Sequence, residues 1–113
     1  MSASAHGARP SRVMLDAVVY ENNETFAFGY RAIDDKVPTA SGVYTIFTSR
    51  RWLYVGESDD LKQSLFGHLN APSKCLARRG SLSFSFEVIA PEQRVERQRA
   101  LIAALAPACN PQT

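Results

Sequence analysis

At 113 residues the chain has room for one apolar core and not two, and its 45% hydrophobic and 21% charged composition is that of a globular protein, which excludes a chain disordered throughout. Net charge is only +2, with nine Lys/Arg against six Asp/Glu from residue 50 onward and four against five before it. So mild a basic bias permits phosphate contacts, but charge alone makes no case for nucleic-acid binding.

The first twelve residues, MSASAHGARPSR, lack the apolar stretch of a secretory signal and are expected to form a flexible tail. VMLDAVVY (13–20) and TFAFGY (25–30) are β-rich runs about the polar ENNE, which predicts a hairpin with Phe26, Phe28 and Tyr30 on one face. RAIDDKVPTAS (31–41) reads as a connection, so that 13–41 forms an N-terminal hairpin and linker ahead of a core at 42–113. GVYTIFT (42–48) and WLYVG (52–56) are a second strand pair joined by a short polar loop.

Ser58 or Asp59 suits an N-cap, with Asp60 in the first turn of a helix whose stripe is Leu61, Leu65 and Leu69 and which Pro72 closes. SLSFSFEVI (81–89) alternates, which predicts a strand with Leu82, Phe84, Phe86 and Val88 facing the core and its serines and Glu87 facing water. Pro91 opens a last helix with Val95, Ile102 and Leu105 on one face, Leu101 beside them and Gln98 within the stripe. Pro107 ends it, and the following ACNPQT is expected to fold back. The order hairpin, hairpin, helix, strand, helix predicts an α+β fold around a small antiparallel sheet. No stretch is long and apolar enough for a membrane span. Cys75 and Cys109 match no zinc spacing and are expected to be reduced thiols in a cytoplasmic protein.

GVY at 42–44, YVG at 54–56, a helix with a polar residue at 64 and His68 one turn later, and P-x-x-N at 107–110 together resemble the GIY-YIG nuclease superfamily. The resemblance implies a divalent-metal-assisted attack on a DNA phosphodiester, a reaction that needs an oriented water, a proton acceptor, a cation facing the phosphate and a carboxylate-bound metal. It places Tyr44, Tyr54, His68 and Asn110 at the site. Two positions depart from the pattern. The superfamily's arginine one turn before the histidine is Ser64, and its metal-binding glutamate, twelve residues before the asparagine, is Gln98. Glu57, Lys62, Arg97 and Arg99 are the residues near enough in sequence to stand in for them.

The resulting expectation is a GIY-YIG-like domain without endonuclease activity that binds nucleic acid or protein, with no metal ligand set and no cofactor. The alternative is a slow endonuclease using Mg²⁺ or Mn²⁺. Lys62, Arg78 and Arg79 are weak candidates for nucleic-acid contact, and a protein partner or a homodimer is the other expected association.

Overall fold

The computed structural model describes residues 24–110 of the chain. The expected N-terminal tail and the strand at 13–20 lie outside these residues. Within them, four strands and four α-helices follow one another: β1 (Phe26–Ala27), α1 (Tyr30–Lys36), β2 (Gly42–Phe47), β3 (Trp52–Ser58), α2 (Leu61–Asn70), α3 (Lys74–Ala77), β4 (Ser83–Val88) and α4 (Arg94–Leu105). A 3₁₀ turn at Pro91–Gln93 leads into α4.

The strands form one antiparallel sheet in the order β1-β4-β2-β3, which confirms the α+β class. β2 runs through its middle, and all six of its residues are buried. The β2–β3 turn is held by Thr48, whose N–H donates to the Arg51 carbonyl and whose hydroxyl accepts from the Arg50 and Arg51 amides. Such a local side-chain bond satisfies main-chain groups that the ladder leaves behind.

Alternate residues of β2 serve two cores, one on each face of the sheet, which corrects the single core expected from the chain's length. Tyr44 and Ile46 face α1, α2 and α3 with Leu53, Leu61, Leu65 and Phe84, whereas Val43 and Phe47 face α4 with Trp52, Val55, Leu101 and Leu105. The sheet is thus covered on both faces, and this corrects the expected wet face of β4. Ser83 and Ser85 are buried, and the Ser85 hydroxyl meets that of Thr45, its partner across the ladder, at 2.9 Å. Val88, expected in the core, is 60% exposed. Small hydroxyl side chains fit under a helix where larger ones would not, and their hydrogen bond removes the penalty of burying them.

Further elements depart from expectation. Tyr30–Lys36, most of which reads as a connection, is the helix α1. A single anchor secures it: Ile33 is fully buried, and Val37, also buried, closes the last turn by donating to its carbonyl. Tyr30 therefore leaves the line of Phe26 and Phe28 and points outward. The cap of α2 is Asp60, whose carboxylate accepts from the Gln63 amide, rather than Ser58 or Asp59. In α4 the buried positions are Leu101 and Leu105, with Val95 exposed. Among the described residues no helix is long and apolar enough to cross a membrane.

Candidate active site

The antiparallel register sets Tyr44 of β2 opposite Gly56 of β3. Tyr54, two residues earlier in β3, is therefore Tyr44's diagonal neighbour on the same face, and the two ring centroids lie 6.0 Å apart. The Tyr44 ring lies across the Cα of Gly56, where any Cβ would run into it. This explains the glycine of YVG: it admits the first motif tyrosine.

His68 reaches the pair from α2, whose Leu61 and Leu65 are sunk in the core beneath the tyrosines. The Tyr44 hydroxyl and His68 Nε2 are 2.8 Å apart, and the imidazole lies 4.7 Å from the Tyr54 ring. Burial pushes the Tyr44 phenol far above its usual range, with Tyr54 and then Glu57 adding to the effect. Burial also lowers His68, disfavouring imidazolium. The two directions favour a neutral Tyr44 sharing a hydrogen bond with a neutral His68. A neutral phenol is not poised to abstract a proton near neutral pH.

Gln98 and Asn110 meet on the outer side of β3, at the main chain of Val55. The Val55 N–H donates to Asn110 Oδ1 at 2.8 Å, and the Val55 carbonyl accepts from Asn110 Nδ2 at 2.9 Å and from Gln98 Nε2 at 3.3 Å. Both lone pairs of that carbonyl are used. The segment after α4 is led there by two further bonds, from the Ala108 amide to the Trp52 carbonyl and from the Cys109 amide to the Leu53 carbonyl. The fold-back expected from the prolines is thus present through Asn110.

Ser64 is engaged within the protein. Its hydroxyl donates to Ser58 Oγ at 2.6 Å, and Ser58 in turn bonds the main chain of Asp60. Lys62, Arg79, Arg94 and Arg97 are likewise held by other groups, and Arg99 is exposed. Arg94 holds Glu57 at 2.6 Å and also bonds Ser41; Arg97 binds both carboxylate oxygens of Glu87. Lys62 donates to the Asp34 carbonyl, and Arg79 to the carbonyl and sulfur of Cys75. Of Lys62, Arg78 and Arg79, only Arg78 is exposed.

Cys75 and Cys109 form a disulfide, with Cα atoms 5.7 Å apart. This overturns the expectation of two free thiols. Sequence spacing alone hides the pairing, because α3 and the tail meet only once the chain has folded.

Magnesium favours charged oxygen ligands, but Gln98 offers an amide whose nitrogen is turned toward Val55, and Glu57 is neutralised by Arg94. Among the described residues no three His, Cys, Asp or Glu side chains are gathered as a metal site would need. The buried Tyr44 and the partly exposed Tyr54 and His68 bring hydroxyl, aromatic and imidazole groups together there.

This sheet, its flanking helices and the placement of the two motif tyrosines define the GIY-YIG fold, and the chain has that fold. It superposes on the N-terminal GIY-YIG endonuclease domain of UvrC from Thermotoga maritima, solved as point mutants bound to the catalytic divalent cation. With one mutant the TM-score is 0.59 at 18% identity over 73% of this chain and 93% of the other. With a second it is 0.59 at 20% identity over 74% and 100%. No family model matches the sequence, and no curated protein does.

The residues most easily missed in the sequence are Ser58 and the main chain of Val55. An S-x-x-x-x-x-S spacing across a strand end and a helix start carries no recognisable signal, and a strand carbonyl carries none at all. Asn110 is legible only through its proline-anchored motif.

Proposed function

We propose that this chain is a GIY-YIG-fold module that binds nucleic acid without cleaving it. The observation that carries this reading is Gln98: a neutral amide stands where the fold's endonucleases are expected to hold a metal with a carboxylate, and it donates to the Val55 carbonyl. A glutamate there would set its charge against a carbonyl oxygen already bonded to Asn110. Ser64, turned toward Ser58, leaves the phosphate side without a guanidinium. Tyr54 and His68, both partly exposed, offer flat rings on which an unpaired base can stack.

Fluorescence anisotropy with duplex, single-stranded and branched DNA at low salt tests the reading. The expected outcome is binding that weakens as salt rises and falls at least fivefold in Tyr54→Ala; no salt-dependent binding to any of the three overturns it. Association with a protein or a second copy would then appear as a shift in native mass with DNA binding absent.

The intact grouping of Tyr44, Tyr54 and His68 favours one second reading, a slow metal-dependent endonuclease. It requires nicking of supercoiled plasmid in Mg²⁺ or Mn²⁺ that both Tyr54→Phe and His68→Ala abolish. The double variant Ser64→Arg with Gln98→Glu separates the readings further: cleavage gained only by this variant assigns the inactivity of the parent to those two positions.

A further inference from the structure

The disulfide lies one residue from the asparagine that grips Val55. Cys109 is joined to Cys75 while its own amide bonds the Leu53 carbonyl, and Asn110 follows directly. Both sulfurs belong to residues that are only half-buried. The two are not equivalent. Arg79 donates through Nε to the Cys75 carbonyl at 3.2 Å and sets Nη2 at 3.5 Å from Cys75 Sγ, which places a positive charge in direct contact with that sulfur. A cation stabilises thiolate, and the sulfur better able to carry negative charge is the better leaving group.

The backbone just before the tail is held away from its preferred conformation. Ala106 has φ 47° and ψ 59°, the left-handed region that disfavours residues with a Cβ. That conformation turns the chain from the end of α4 back toward β3. It is maintained by what lies beyond it: the bonds to Trp52, Leu53 and Val55, and the link to Cys75.

We propose that Cys75–Cys109 is a thiol–disulfide exchange site, a clasp whose opening by a dithiol reductant releases Asn110 from Val55. The reductant's thiolate attacks Cys109 Sγ, a new S–S bond forms there, the Cys75–Cys109 bond breaks, and Cys75 leaves as a thiolate beside Arg79. The second thiol of the reductant, after losing its proton, attacks its own sulfur in the mixed disulfide and expels Cys109. The reductant ends as a cyclic disulfide and the protein as two thiols. Two electrons have passed to the protein, and the two protons lost by the reductant are those gained by the cysteines. Ala106 then relaxes, and the tail leaves the edge of β3. A disulfide opened in this way belongs to the labile, regulatory kind that reducing compartments hold. The clasp stands independently of what the site binds, since its readouts are chemical and structural.

Two measurements on the full chain test it. Quenching with acid after brief exposure to glutathione, followed by peptide mass analysis, should find the mixed disulfide on Cys109, and Arg79→Gln should slow reduction by dithiothreitol at least threefold. Adduct mainly on Cys75, or an unchanged rate, overturns the assigned direction of attack. Two-dimensional NMR of the oxidised and fully reduced protein should show the Val55 amide and the Asn110 side-chain amide moving toward free-peptide positions while Val43, Ile46 and Phe84 keep their shifts. Unmoved Val55 and Asn110 signals overturn the clasp, and so does collapse of the whole spectrum, which would make the bond a plain structural staple. In reduced Ala106→Gly the backbone strain is absent: retention of the Asn110 contact supports the coupling, and release as complete as in the parent overturns it.

Discussion

Gly56 is constrained by a neighbour rather than by its own torsion angles. The Tyr44 ring fills the space a Cβ would need, so Gly56→Ala must push that ring off the strand. Overpacking of this kind costs about 1–3 kcal/mol, and chemical denaturation should show a loss in that range. Tyr44→Phe, which keeps the ring and gives up the bond to His68, should lose about 1 kcal/mol. His68 makes the fold sensitive to acid. Its folded pKa lies below the ordinary 6.5, so the unfolded chain takes up the proton first. The stability this contributes is fully present above pH 6.5 and is lost as pH falls through 6.5 toward the folded value. Thermal melts at pH 7.5 and pH 5 should therefore differ more in the parent than in His68→Gln. Tyr44 acts at the other end: its raised pKa gives stability that is complete below pH 10 and lost as pH rises above it.

At the scale of elements, the local signals that chemistry fixes strongly were legible and those that depend on distant partners were not. The β2–β3 pair, α2 and the fold-back after Pro107 all follow from alternation, helical leucine spacing and proline. α1 was hidden because Ile33 is the one buried residue within it, with Val37 just past its end, and so few anchors make no periodic pattern. The serines of β4 misled for another reason: alternation of Ser with Phe ordinarily marks a wet face, but α4 covers that face here and Thr45 pairs with Ser85. The candidate site was legible as far as its motif residues; what each side chain turns toward, Ser64 to Ser58 and Gln98 to Val55, is set by neighbours far along the chain. Helix ends supply a direct check. Asp60→Ala removes the carboxylate that accepts the Gln63 amide and should cost about 1 kcal/mol. Ala106→Gly should raise stability by about 1 kcal/mol by relieving the left-handed alanine, read as a shift of the urea midpoint with an unchanged slope.

For the whole molecule, two cores on opposite sides of one sheet make β2 the element on which everything else depends, since its alternate residues belong to both. The disulfide adds a long-range constraint, closing a loop with a sequence separation of 34, for which chain entropy gives about 4 kcal/mol. That is a large share of the stability of a small domain.

The segment after α4 has one more consequence. β3 is the last strand in the order β1-β4-β2-β3, and its outer main chain would otherwise be open to any extended peptide. Ala108, Cys109 and the Asn110 side chain take up the Trp52 and Leu53 carbonyls and both polar groups of Val55, so the tail acts as a stand-in fifth strand that denies this edge to other molecules. Deleting residues 107–113 together with Cys75→Ser should uncover the row and turn a concentration-independent sedimentation profile into one that shows self-association.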